Sequence, residues 1–136
     1  MLAYTTLGVA DFERAKTFYA ALLEVIGADY VMGNERIALY GKDMDNPMLA
    51  ICIPYDKQPP SAGNGTMVAI RAGSRASCDA MYEKALALGA TCDGPPGERM
   101  PDVYGFRSPH MVSGLLYNMR PAVQHVPLVL NLLALL

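Results

Sequence analysis

The spacing of apolar residues predicts a strand, a helix and three further strands in the first half of the chain. Residues 2–9 are rich in β-branched and aromatic side chains, which favours a strand. Asp11 is a suitable N-cap for a helix that extends to about residue 26, and Gly27 ends it. Apolar residues recur along this helix at three- and four-residue steps, as expected for one buried face: Phe12, Ala15, Phe18, Tyr19, Leu22, Leu23 and Ile26. Short strands are predicted at residues 29–32, 36–40 and 48–53.

The same order of elements is predicted again after a loop at residues 57–65, which contains two Pro and two Gly. A strand at 66–71 is followed by a helix at 74–88, which Gly89 ends. One face of this helix is apolar: Cys78, Met81, Ala85 and Leu88. The remaining strands are predicted at 91–92, 103–107 and 115–119. Residues 93–101 (DGPPGERMP) are predicted to be a polar loop, because three prolines and two glycines interrupt them.

The two halves share a local sequence feature. Ile26-Gly27-Ala28 and Leu88-Gly89-Ala90 lie 62 positions apart, and each closes a predicted helix. One half alone would be a small sheet with an uncovered face, so two such units are expected to pack together. The sequence therefore predicts an α+β fold of two βαβββ modules, at about residues 2–54 and 65–120.

Composition and charge exclude several classes of protein. The chain is 52% hydrophobic and 18% charged, which excludes a disordered chain, and its net charge of −2 gives no basic surface for nucleic acid. No signal-peptide pattern is present at the start, and the apolar run at residues 126–136 is too short to cross a membrane. Cys52, Cys78 and Cys92 have neither zinc-site nor disulfide-framework spacing. We expect a soluble cytoplasmic protein with reduced thiols.

Five segments together resemble the vicinal oxygen chelate superfamily, which includes glyoxalase I, extradiol dioxygenases, fosfomycin-resistance enzymes and bleomycin-resistance binding proteins. They are 6–19 (TLGVADFERAKTFY), 61–70 (SAGNGTMVAI), 85–91 (ALALGAT), 94–109 (GPPGERMPDVYGFRSP) and 114–121 (GLLYNMRP). The resemblance implies that the two modules form a curled mixed sheet around a cavity, with the helices outside. Residues 1–120 are then one domain, and residues 121–136 are an apolar C-terminal extension.

In metal-binding members of that superfamily, two His and one Glu hold a divalent ion, often with a second Glu. The resemblance places Tyr4, Met67 and Asn118 at the positions of His, His and Glu, and residues 48–53 contain no carboxylate or imidazole. Neutral phenol, thioether and amide groups are poor ligands for such ions. The two histidines of the chain, His110 and His125, are expected at the surface, so they do not supply the missing ligands. We therefore predict no metal cofactor.

The side chains that share a strand face with these three positions are predicted to line a cavity for a small molecule. The predicted set is Tyr4, Thr6, Met67, Ala69, Tyr104, Phe106, Leu116 and Asn118. The alternative for Met67 and Leu116 is that they fill the cavity as core residues. Tyr4 and Tyr104 are equally explained by packing. Asn118 is the best candidate for a polar contact with a ligand.

Three functions remain open at this point. The first is a metal-free small-molecule-binding protein of the bleomycin-resistance type, which would sequester a drug or metabolite. The second is a metal-dependent lyase, dioxygenase or isomerase with one divalent ion. The third is a pseudoenzyme or interaction module with a filled cavity. Whether the protein is an enzyme stays undecided, because a carboxylate base at Glu98 or Asp102 is the single metal-free catalytic candidate.

The expected partners are a small-molecule ligand and a second copy of the chain in a homodimer, with neither nucleic acid nor membrane. The extension, residues 121–136, is expected to cover an apolar patch of its own domain or of a partner subunit. The alternative is a non-native extension left by an altered reading frame, which would suit its break in composition from the rest.

Overall fold

The structure is a computed structural model that describes residues 1–61, 68–101, 103–107 and 117–118. These residues belong to two compact units, and the chain passes from the first to the second after Ser61. The predicted C-terminal extension lies outside the described residues, as do His110, His125 and Asp102. The proposal that residues 1–120 form a single domain stays a prediction.

The first unit has the predicted order of elements. Its segments are β1 (Tyr4–Gly8), α1 (Phe12–Leu23) with a 3-10 turn (Glu24–Ile26), β2 (Asp29–Gly33), β3 (Ile37–Gly41) and β4 (Met48–Cys52). The four strands form one sheet in the order β1-β4-β3-β2. Strands β1 and β4 are parallel, whereas β2–β3 and β3–β4 are antiparallel. This is the mixed sheet of a βαβββ module.

Helix α1 begins where the sequence predicts it and packs on the sheet. The carboxylate of Asp11 accepts a hydrogen bond from the Arg14 backbone N–H at 3.0 Å, which satisfies one of the free N–H groups of the first turn. The Tyr40 hydroxyl donates to the Lys16 carbonyl at 3.2 Å, which ties β3 to the helix. Most of the predicted apolar face of α1 is buried: Phe12, Ala15, Tyr19, Leu22 and Leu23.

The second unit contains α2 (Arg75–Ala87), β5 (Gly94–Met100), β6 (Val103–Arg107) and β7 (Tyr117–Asn118). The strands form an antiparallel sheet in the order β5-β6-β7. Of the strand predicted at residues 66–71, the described part, 68–71, shows an isolated bridge at Ile70. Residues 91–92, also predicted to be a strand, have no regular secondary structure. Strand β7 lies within the predicted segment 115–119.

The prediction of a polar loop at residues 93–101 is wrong, because most of this segment is strand β5. Pro95 and Pro96 lie between the pairs Gly94–Arg107 and Gly97–Gly105, where the register shifts. Strand β5 is also at the edge of the described sheet. Prolines are tolerated at such bulges and edges because no ladder hydrogen bond is required of their nitrogen. The tertiary pairing with β6 therefore overrides the local turn signals.

The glycine of each repeated tripeptide ends its helix in the same way. Gly27 and Gly89 have φ values of 67° and 90°, the left-handed region that favours glycine. Ala28 N donates to the Leu23 carbonyl at 3.1 Å, and Ala90 N donates to the Ala85 carbonyl at 2.9 Å. This bond, from a residue to the carbonyl five positions before it, is the long bond of a Schellman motif. The 62-residue repeat thus corresponds to one local structure made twice.

Candidate functional site

Strand β1 directs its side chains to two different environments. Leu7 and Val9 are buried in the core, whereas Tyr4, with 48% of its surface exposed, and Thr6 are both exposed. Since successive residues of a strand point to opposite faces, Tyr4, Thr6 and Gly8 share the other side of the sheet from Leu7. The two predicted site residues of β1 are therefore neighbours on one face.

Strand β4, next to β1, and strand β3 beyond it extend this face with apolar side chains. Tyr4 is paired with Met48 and Thr6 with Ala50, and Ala50 is in turn paired with Leu39 on β3. Met48, Ala50 and Leu39 form one buried cluster, against which Val31 and Ile37 pack. We call these five side chains, Tyr4, Thr6, Met48, Ala50 and Leu39, the apolar sheet face; Tyr4 and Thr6 are exposed on it, and the other three are buried beside them. The Tyr4 phenol and the Thr6 hydroxyl are its polar groups.

The donor groups of the apolar sheet face do not fit a divalent metal ion. Tyr4 occupies the position implied for the first ligand, and its partner on β4 is the thioether Met48. The sequence of β4, MLAIC, supplies neither carboxylate nor imidazole. Within the described residues, no group of three or more His, Cys, Asp or Glu side chains is close enough to hold a metal. Among the described residues of this face, a divalent ion would meet no anionic ligand to offset its charge.

Two predicted site residues contact helix α2. The Tyr104 hydroxyl donates a hydrogen bond to Asp79 Oδ1 at 2.8 Å. The Phe106 ring packs edge-on against Tyr82, with ring centroids 5.2 Å apart. Both rings are thus on the helix side of β6, the side on which alternate residues 104 and 106 must lie together. These contacts are those of packing residues, the alternative noted for Tyr104 from the sequence, and the part of both rings in binding a ligand stays a prediction.

The other predicted lining residues are placed only in part. Ala69 is half-buried, one residue before the bridge at Ile70. Asn118 lies on β7, where its backbone pairs with Val103. Met67 and Leu116 lie outside the described residues. Their part in binding a ligand, like that of Tyr4 and Thr6, stays a prediction.

Charged side chains form a network on the side of the second sheet that faces α2. Strand alternation alone does not predict this network. The Arg75 guanidinium lies 4.7 Å from the centroid of the Tyr104 ring, and its Nη2 is 3.4 Å from Glu98 Oε1. Asp79, one helical turn after Arg75 on α2, accepts the hydrogen bond that the Tyr104 hydroxyl donates. The spacing of Arg75 and Asp79 was the available signal, because residues four apart share a helix face. Glu98, considered as a base, is paired with this arginine.

The three thiols differ in environment. Burial is the main cause that raises the pKa of Cys78, to about 12, and burial also raises the pKa of the half-buried Cys52. Cys92 is exposed, and its sulfur accepts hydrogen bonds from the Tyr82 hydroxyl at 3.3 Å and from Gly94 N at 3.4 Å.

Neither helix in the described part of the chain has the length and the apolar character that a membrane span requires.

Comparison with known families gives one match that covers most of the chain. The family model described as the Glyoxalase/Bleomycin resistance protein/Dioxygenase superfamily matches residues 1–112. No curated protein matches the sequence.

Several solved structures are similar to this chain. A glyoxalase/bleomycin resistance protein from Albidiferax ferrireducens T118 is 31% identical, with a TM-score of 0.73, over 89% of this chain and 99% of that one. A glyoxalase-related enzyme from Fulvimarina pelagi is 17% identical, with a TM-score of 0.69, over 94% and 96% of the two chains. Lactoylglutathione lyase from Agrobacterium tumefaciens is 17% identical, with a TM-score of 0.55, over 87% and 92%. The last two likenesses concern the fold alone.

Proposed function

The chain belongs to the Glyoxalase/Bleomycin resistance protein/Dioxygenase superfamily, and on this premise we propose that it binds a small apolar molecule without a metal ion. The observation that carries the proposal is the register of the first sheet. It sets Tyr4 beside Met48 and Thr6 beside Ala50, so apolar groups stand next to the position implied for a metal ligand. Such a surface favours apolar ligands with a few directed polar contacts.

The exposed groups of the apolar sheet face suit a flat aromatic ligand. The Tyr4 ring offers a surface for offset or edge-on ring contacts, which add to the free energy of apolar burial. The Thr6 hydroxyl both donates and accepts hydrogen bonds, so it orients a ligand without adding charge. We propose sequestration of such a molecule as the activity, with no chemical step.

The metal-free part of the proposal is tested by titrating the full-length protein with Zn²⁺, Ni²⁺ and Mn²⁺ in a calorimeter, together with elemental analysis. We expect no stoichiometric binding to the wild type. The matched variant combines Tyr4→His, Met67→His and Asn118→Glu, which supplies two imidazoles and a carboxylate at the positions that the resemblance to the superfamily gives to its metal ligands. We expect this variant to gain affinity for at least one of the ions. A stoichiometric metal in the wild type would overturn the proposal in favour of a metal-dependent member of the superfamily.

The ligand-binding part is tested by thermal denaturation in the presence of a panel of aromatic compounds. A compound that binds the folded state raises Tm, and a concentration of 100 times Kd adds about 2.7 kcal/mol to the free energy of unfolding. We expect Tyr4→Ala to reduce the shift. Tyr30→Ala is the control, because Tyr30 has a similar exposure of 55% but its ring packs against Tyr40, on the side of α1. An equal effect of the two substitutions would contradict binding at the apolar sheet face.

A further inference from the structure

The chain returns over the apolar sheet face soon after β4 ends. Gly8 is on the same side of β1 as Tyr4 and Thr6, at the end of the strand. A Cβ at Gly8 would lie 3.1 Å from Pro60 Cβ and 3.4 Å from Pro54 Cγ. Although Gly8 is exposed, both prolines therefore occupy the space next to it on this side of the sheet. Residues 54–60 are called the proline segment below.

Backbone hydrogen bonds fix the start of the proline segment in a turn. Lys57 N donates to the Pro54 carbonyl at 3.0 Å, and Gln58 N donates to Asp56 Oδ1 at 3.0 Å. Lys57 has a φ of 60°, which is uncommon outside glycine and reverses the chain direction here. Two consecutive prolines, Pro59 and Pro60, then restrict the returning chain, because each ring locks its own φ.

Arg36 anchors the same segment to the sheet. Its carbonyl accepts a hydrogen bond from Ile53 N at 2.9 Å, and its Nη1 donates to the Ile53 carbonyl at 3.1 Å. The guanidinium carbon also lies 5.6 Å from the centroid of the Tyr55 ring. These contacts hold the residues on either side of Pro54, so the segment is attached at its start as well as at Gly8.

We propose that the proline segment is a fixed end wall of the ligand site and determines which ligands fit. This inference rests on the proposed function. Gly8 is four residue steps along β1 from Tyr4, so the part of β1 between the wall and the Tyr4 ring is about 13 Å long. The ligand is therefore a compact apolar molecule with at most two aromatic rings in line. A longer rigid molecule that lies along β1 with one end ring on Tyr4 meets Pro60 before its other end ring is accommodated.

The test compares two rigid probes, biphenyl-4-carboxylate and p-terphenyl-4-carboxylate, by calorimetry on the full-length protein. Without a wall, the longer probe would bind more tightly, because it buries more apolar surface. We expect the wild type to bind the biphenyl probe about tenfold more tightly than the terphenyl probe. Pro60→Gly removes the contact at Gly8, and we expect it to reduce this preference to less than about threefold.

Pro59→Gly is the matched control, because it makes the same change in chain stiffness at a residue with no close contact to Gly8. It should keep the wild-type preference. Pro54→Ala, which removes the Cγ atom that faces Gly8, is a milder second variant if Pro60→Gly does not fold. It should reduce the preference in the same direction.

The outcomes separate this inference from the proposed function. Two results would contradict the inference that the proline segment is an end wall: equal affinity of the wild type for both probes, or an equal change of preference in Pro59→Gly and Pro60→Gly. Either result would leave the proposed binding function intact. If neither probe nor any aromatic compound of the panel binds the wild type, the proposed function itself fails.

Discussion

The hydroxyl of Tyr104 donates a 2.8 Å hydrogen bond to Oδ1 of Asp79, which joins the middle of β6 to the second turn of α2. The bond requires a protonated phenol and a carboxylate acceptor, so it depends on pH. The Tyr104 ring has a second contact, because the Arg75 guanidinium lies over its face at 4.7 Å from the ring centroid.

The Tyr104 bond predicts a loss of stability at alkaline pH. The hydrogen bond to Asp79, followed by burial, raises the pKa of Tyr104 above its ordinary value of 10.0. The folded state therefore favours the protonated phenol, and this stabilisation is complete below pH 10 and lost as the pH rises through the folded-state pKa. We expect Tyr104→Phe to lower Tm at pH 7 and the difference from wild type to shrink above pH 10. A difference that is independent of pH would contradict the assignment, and Tyr55→Phe, at an exposed ring, is the control.

The two helix caps are expected to stabilise the fold by similar amounts. Asp11 accepts from Arg14 N at 3.0 Å, and Ser74 Oγ accepts from Ser77 N at 2.9 Å. Replacing either cap with Ala leaves a helix N–H without its partner, and we expect each change to lower the free energy of unfolding by about 1 kcal/mol. Urea denaturation measures this. Asp11→Ser, which keeps an acceptor, should restore most of the loss, and a loss equal to that of Asp11→Ala would argue against capping.

Two methionines provide a matched test of the core of the second unit. Met81 on α2 is 0% exposed, whereas Met100 on β5 is 54% exposed. We expect Met81→Ala to lower the free energy of unfolding by about 2–5 kcal/mol, because it leaves a cavity in addition to removing apolar contacts. Met100→Ala should change it by less than about 0.5 kcal/mol. Similar values for both would show that Met81 is not a core residue.

The three cysteines are expected to react with iodoacetamide at different rates. Cys92 is exposed and should be alkylated first at pH 8, because a reagent reaches its sulfur directly. Cys52 should follow slowly, and Cys78 should react when the protein unfolds, since burial excludes the reagent and holds the thiol protonated. Peptide mass spectrometry gives the order. Cys92→Ser should remove the fast phase, and its persistence would contradict the described exposure.

Much of the first unit follows from local rules. A capping side chain at Asp11, an apolar face with helical spacing and a glycine at position 27 are sufficient to define where α1 begins and ends. The same rules define α2 between Ser74 and Gly89. Strands β2, β3 and β4 were also predicted within one or two residues, because turn residues separate them.

Strand β5 shows where local rules fail. The prolines and glycines of residues 94–100 indicate a loop when taken alone, and the segment is a strand because β6 pairs with it at a bulge and an edge. Such pairing joins residues that are distant in sequence. A pattern of neighbouring residues therefore does not predict the pairing of β5 with β6.

The candidate site divides in the same way. The sequence alone predicts that alternate residues of β1 share a face, so it brings Tyr4 and Thr6 together. The resemblance to the superfamily implies that neutral groups stand at the positions of its metal ligands. Which neighbours surround them depends on the parallel pairing of β1 with β4, which places Met48 and Ala50 beside them. Which face of β6 meets α2 is likewise set by packing, and it turns Tyr104 and Phe106 toward the helix. The alternation of residues along a strand predicts which side chains share a face. Which of the two faces is buried depends on where the helix packs.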